Sequence, residues 1–170
     1  HTGQNDTSEP GGKAHVHEDT EDFENYQPES LYFLPLGGGA EFGGHMNLYG
    51  WNSQWVLMDC GIAFGNQGHG QVEIRLPDPA YLEKRRNNLL GLVVTHAHED
   101  HIGAVVRLWP RLRCPVYATR FAAAYLRQRI AEFPDAADMP LHIVHRGDRF
   151  ALGPFGLHLL PVTNSIPEAC

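Results

Sequence analysis

Between positions 95 and 101 the chain reads Thr95-His96-Ala97-His98-Glu99-Asp100-His101. Three imidazoles and an aspartate within six positions are the donors that two neighbouring transition-metal ions require, neutral ring nitrogens with at least one anionic oxygen. The apolar run Leu89 to Val94 precedes the cluster, and Ile102 to Trp109 follows it with the spacing of an amphipathic helix. The cluster therefore falls on a strand-to-helix turn, where two rigid elements position it. His96 and His98 are expected to hold one ion, and Asp100 and His101, at the helix start, a second. Glu99 is expected to point away from its neighbours. A merely solvated polar turn is the plainer reading, and four donors at this spacing argue against it.

Other polar residues make weaker claims. Asp59 ends the apolar strand Trp55 to Met58 and precedes Gly61, so its carboxylate can orient a ligand histidine or close an Asx-turn. Asp78, between Pro77 and Pro79, reads as a helix cap. Gly37-Gly38-Gly39 lacks the lysine and helix of a phosphate loop. His45 reads as a loop or strand-edge histidine rather than a ligand. Gly65 to Gly70 reads as a mobile surface loop near the cleft, with His69 in no chemical role. His1, His15 and His17 lie in a flexible stretch, where metal binding is adventitious.

The elements that must position these residues follow from apolar periodicity. Leu31 to Leu36, Met46 to Tyr49 and Trp55 to Met58 read as a meander of strands, the last two joined at Gly50-Trp51-Asn52-Ser53. Pro79 to Asn87 reads as a helix, Leu90 to Val94 as a buried strand and Cys114 to Ala118 as another. Thr119 to Phe133 reads as an amphipathic helix capped by Thr119. Leu141 to His145 and Phe155 to Leu160 return to strand. A mixed sheet with helices outside is the architecture these elements make.

Composition sets the limits. The 170 residues suffice for one domain with a real core. Residues 1–30 carry eight acids against Lys13, which is the whole net charge of −7, and read as a disordered acidic tail. Residues 31–170 carry twelve acids and twelve bases, so the folded part does not repel phosphate as an acidic domain would. Cys60, Cys114 and Cys170 have no paired spacing, and no apolar run reaches the length of a membrane span. A cytoplasmic, reducing location without membrane attachment is expected. The start at His1 and the stop at Cys170 read as those of a fragment.

The His/Asp cluster resembles the signature of the metallo-β-lactamase fold. Further segments resemble ribonuclease J, a nuclease family of the β-CASP branch: Tyr32 to Gly43, Met58-Asp59-Cys60-Gly61, Leu76-Pro77-Asp78, Thr95 to Gly103 and Val162 to Glu168. The resemblance covers about residues 31–170 and implies an α/β fold, the N-terminal part only of an αββα sandwich with its metal site at one edge of two sheets. It implies two Zn²⁺, with Mn²⁺ as the alternative, held by His96, His98, Asp100 and His101, with Asp100 as the catalytic carboxylate and Asp59 orienting a ligand. It also implies an RNA substrate, a homo-oligomer (dimer or tetramer), and 5′-to-3′ exonuclease and endonuclease action in RNA processing and decay.

Three positions depart from that family. Ala40 and His45 stand where it commonly has glycine and asparagine. Asn164 stands where its Thr-x-Ser-Ile-Pro turn carries a ligand histidine, and an amide oxygen is a poor zinc ligand beside imidazole. The first metal site is therefore expected to be weakened, and the segment by itself to be inactive. Two alternatives stay open: the same fold acting on a small ester, thioester or lactam, and a non-catalytic truncated copy.

Overall fold

Apolar alternation builds a sheet whose edge carries the His/Asp cluster. The structure is a computed structural model and describes residues 29–38, 43–66 and 72–170. The acidic tail through residue 28, with its three histidines, and Gly39, Ala40 and His69 lie outside the described residues. Strands β1 (Tyr32–Gly37), β2 (Met46–Trp51) and β3 (Gln54–Met58) pair antiparallel. The β2–β3 hairpin turns on Asn52 and Ser53 alone, both at positive φ (48° and 59°), the two-residue turn whose twist suits its flanking strands. Pairing therefore runs further than the sequence pattern suggests, by two residues on β2, to Trp51, and by one on β3, to Gln54.

A small hairpin follows, β4 (Ala63–Asn66) with β5 (Val72–Arg75), whose first strand takes in the start of the segment Gly65 to Gly70 read as a loop. Gly65 and Asn66 are strand, and residues 67–70 are not among those described. Helix α1 (Ala80–Glu83) has Pro79, not Asp78, at its cap position; Asp78 sits one residue ahead, its Oδ1 accepting the Ala80 N–H at 2.9 Å in an Asx-turn. The helix is shorter than Pro79 to Asn87 because a 3₁₀ turn at Arg86–Asn88 replaces its second half.

Strand β6 (Leu89–Val93) lies parallel to β3 and leads into the cluster. The single helix expected over Ile102 to Trp109 is instead two, α2 (Glu99–Ile102) and α3 (Val105–Leu112). The break has a cause: the Ala104 N–H leaves the helix to bond the Cys60 carbonyl at 3.0 Å. Helix α3 runs on through Pro110 and stops at Arg113, which takes a left-handed conformation (φ 54°).

Strand β7 (Val116–Ala118), helix α4 (Arg120–Ile130) and strands β8 (Leu141–Ile143), β9 (Arg149–Leu152) and β10 (Phe155–His158) complete the chain. Thr119 occupies the cap position of α4 without capping it through its side chain. Glu168 does this from 47 residues away, its Oε2 accepting the Phe121 N–H at 2.8 Å. The main sheet has the order β1-β2-β3-β6-β7-β8, with β3, β6, β7 and β8 parallel.

Trp55 and Leu57 point to the helical face and pack with Leu48, Leu82, Leu92, Trp109, Leu112 and Leu126. Val56 and Met58 point to the other face, where the β9–β10 hairpin covers them with Leu152 and Leu157. Each buried Leu or Val is worth about 1.5–3 kcal/mol over exposure. The layers are helices, a six-stranded sheet and, on its other face, the two-stranded β9–β10 sheet, the mixed α/β layering that the αββα expectation calls for. Beside β10 that second sheet leaves a groove of about 410 Å³ lined by Leu31, Tyr49, Trp51 and Phe155. Among the described residues no helix is long and apolar enough to cross a membrane.

Candidate metal centre

Three segments meet at the C-terminal edge of β3 and β6. A four-residue helix leaves most of its carbonyls without an intrahelical partner; in α2 Glu99 O has one, the Gly103 N–H at 2.9 Å, and the flanking loops supply donors to three carbonyls in a row. Glu99 O accepts from Ile62 N–H (2.9 Å), Asp100 O from His45 N–H (2.9 Å) and His101 O from Cys60 N–H (2.8 Å). The Gly61 N–H in turn bonds His45 O at 3.0 Å. The loops cross so closely that a Cβ on Gly61 would overlap the Asp100 carbonyl. Glycine is required there by contact, not by flexibility.

Asp59 sits behind the crossing, 4 % exposed and at φ 63°, a left-handed conformation that aspartate tolerates better than most residues. It makes no Asx-turn. Its Oδ1 accepts the Thr95 N–H at 2.8 Å, and its Oδ2 lies 2.7 Å from His101 Nδ1 and 2.8 Å from Thr95 Oγ1. A carboxylate only accepts, so His101 Nδ1 carries a proton, and in the neutral ring the lone pair is on Nε2. The Thr95 hydroxyl has one hydrogen to give; donated to Asp59, it leaves Oγ1 to accept from His96 Nδ1 at 2.9 Å. One buried aspartate thereby fixes the tautomer of two histidines, one of them through a threonine.

The environment separates these two rings. Burial pushes His96 below the ordinary imidazole range, with neighbouring His101 adding to the effect. Burial alone would also lower His101, but the hydrogen bond and charge of Asp59 and the charge of Asp100 outweigh it, so its pKa is raised.

The expected donors are brought together, though not in two equal pairs. The His96 ring lies 4.2 Å from that of His101 and 4.9 Å, edge to face, from that of His98. His101 Nε2 approaches Asp100 Oδ2 at 3.4 Å. His98 Nε2 faces outward, to Ser165 Oγ at 3.1 Å. Asn164 is exposed, and its Oδ1 accepts from Ser165 Oγ (3.3 Å) and Ile166 N–H (3.4 Å) in its own turn. Glu99 points away from the cluster and accepts a hydrogen bond from the Tyr125 hydroxyl of α4.

The residue that sequence reading left aside is His45. Its Nε2 is 3.6 Å from Asp100 Oδ2 and its ring stacks on His101 with centroids 4.3 Å apart. Among the described residues, His45, Asp100 and His101 form the group of three side chains whose donor atoms all lie within 4.8 Å of one another. The sequence signal was the pair Gly43-Gly44 ahead of it. A Cβ on Gly43 would press on Ile62 O and Asp100 Cβ, so the pair lets this loop lie against α2.

The donor chemistry fits a divalent ion. Tetrahedral zinc with donors about 2.0–2.2 Å away places those donors about 3.3–3.6 Å apart. The separations of 3.4 and 3.6 Å around Asp100 Oδ2 are of that size, and in the neutral form of His101 the lone pair lies on Nε2.

A family profile described as a β-lactamase superfamily domain matches residues 54–168. Among curated proteins, the chain is 42 % identical over 160 residues to "Ribonuclease J" of Sinorhizobium meliloti, covering 92 % of the chain and 28 % of that protein. It is 33 % identical over 147 residues to "Ribonuclease J" of a Synechocystis species, covering 85 % of the chain and 23 % of the relative. The chain thus spans about a quarter of the length of these relatives. Among solved structures, the MIM-2 metallo-β-lactamase superposes with a TM-score of 0.53 at 21 % identity, over 83 % of this chain and 52 % of that one. The Rm3 metallo-β-lactamase does so with a TM-score of 0.53 at 18 % identity, over 84 % and 55 %. The structural likeness is one of fold.

Proposed function

Because this chain belongs to the β-lactamase superfamily, with ribonucleases J among its curated relatives, we propose that it serves a metal-dependent hydrolase of RNA phosphodiesters. The observation that carries this reading is the His101 ring, held on Asp59 through Nδ1 with Nε2 turned toward the Asp100 carboxylate. His96 and His98 would hold one ion and Asp100 and His101 another, zinc or manganese. Residues 31–170 would be the N-terminal part of the hydrolase domain and residues 1–30 a solvated tail. RNA would be cut from the 5′ end and internally, in the cytoplasm, by a homo-oligomer.

The chemistry a divalent ion supplies when bound is neutralisation of charge on a phosphate and acidification of water. The chain's residues prepare for it. Asp59 holds the His101 proton on Nδ1 and, through Thr95, the His96 proton on Nδ1. Both rings thus turn Nε2 away from their anchors without reorganising when charge develops. Burial of His96 keeps that ring neutral, the form in which imidazole donates a lone pair. Asp100, 30 % exposed, supplies the anionic oxygen at the rim.

The test is cleavage of 5′-monophosphorylated RNA by the intact protein, with Zn²⁺ or Mn²⁺ present, after chelation, and after metal is restored. Cleavage that disappears with chelator and returns with metal is expected. Turnover of a lactam or thioester with RNA left intact would replace this reading with that of a small-ester hydrolase.

A further inference from the structure

Three polar atoms converge at the crossing of the β1–β2 loop over α2 without bonding one another. Asp100 Oδ2 is 3.4 Å from His101 Nε2 and 3.6 Å from His45 Nε2, both beyond the N–H···O range of about 2.7–3.2 Å. They are close enough to share one small ligand. Their placement is not a matter of side-chain chance. The His45 backbone is fixed on both sides, N–H to Asp100 O and carbonyl to Gly61 N–H, and Gly44 N–H is tied to Ile62 O at 2.8 Å. Its ring rests on the His101 ring at an interplanar angle of 23°, and His101 is itself locked by Asp59. A side chain on a backbone held this way has less freedom left for ligand binding to remove.

We propose that His45 is a direct ligand of a divalent metal ion shared with Asp100 and His101, making a three-residue site. The inference rests on the metal-dependent reading above but divides the ligands differently: this ion does not need His96, His98 or a histidine at position 164. Two imidazoles and a carboxylate leave one coordination position open, the pattern of a catalytic rather than a structural zinc site. His96 and His98 are then the weaker half: His98 meets Ser165, and Asn164 turns back into its own loop.

The experiment is a Zn²⁺ titration of the full chain carrying ¹⁵N-labelled histidine, reading the ring nitrogens by long-range proton–nitrogen correlation. Chelator competition on the wild type, His45→Asn and His101→Ala supplies the affinities. In the first equivalent, the Nε2 signals of His45 and His101 are expected to shift together, ahead of those of His96 and His98. His45→Asn should weaken binding by about 100-fold or more, since a direct ligand counts for more than the outer partners that cost 10–100-fold. The label titration needs no substitution, so a variant that fails to fold does not decide the matter. If His101, His96 and His98 shift while His45 stays still, the proposal is overturned and the hydrolase reading stands. If no ring nitrogen responds to Zn²⁺, both are overturned.

Discussion

His101 meets its partners beneath two crossing loops, with a 4 % exposed aspartate behind it and backbone bonds on three successive α2 carbonyls. His98, three residues earlier, meets a serine on an exposed turn, and the nearby Asn164 amide is occupied with its own loop. Both belong to one seven-residue motif, yet only one end is held from several directions. Donor-type residues are cheap to supply; what distinguishes the two ends is the scaffold that fixes their angle. In the Asp100–His101 half that scaffold is mostly main chain, which side-chain substitution alters little.

The harshest way to break the contrast is Gly61→Ala. A methyl there overlaps the Asp100 carbonyl, so the loops must part, and a loss of about 4 kcal/mol or more is expected. Thermal unfolding would report it together with loss of metal binding at the better-built end, and an unchanged melting point would mean the crossing does not hold the site. Asp59→Asn is milder. The amide keeps the size but has one accepting oxygen for Thr95 and His101, so Zn²⁺ affinity measured against a chelator should fall about 10–100-fold. An unaltered affinity would deny Asp59 its orienting role. Asn164→His addresses the open end and should gain least, about 10-fold in affinity for a second ion, because an exposed turn must be ordered to deliver the new ring. Metal content after dialysis would check it, and equal content in both forms would show that position 164 does not ligate.

Much of this was legible in the chain. Leu89 to Val94 announced the strand and His96 to His101 the turn beyond it, because both are local patterns of residue type. The strands β4, β5 and β9 escaped because four residues with a glycine or charge among them, as in Ala63–Asn66 or Arg149–Leu152, give too few turns of alternation to register. The split between α2 and α3 escaped for a different reason. It depends on Ala104 bonding Cys60, 44 positions away, which no local period records. His45 is the same case: its place beside Asp100 is set by backbone bonds between segments 55 residues apart. The cap of α4 followed local expectation in position, at Thr119, and failed in agent, since Glu168 reaches the free amide first.

That contact makes the Phe121 amide a built-in reporter. It sits at the start of α4, where an amide normally has no intrahelical acceptor and trades its proton freely with solvent. Glu168 covers it from the end of the same turn that carries Asn164 and Ser165. Deuterium uptake at this one amide therefore tracks how often the turn lifts from the molecule, with no label near the histidines.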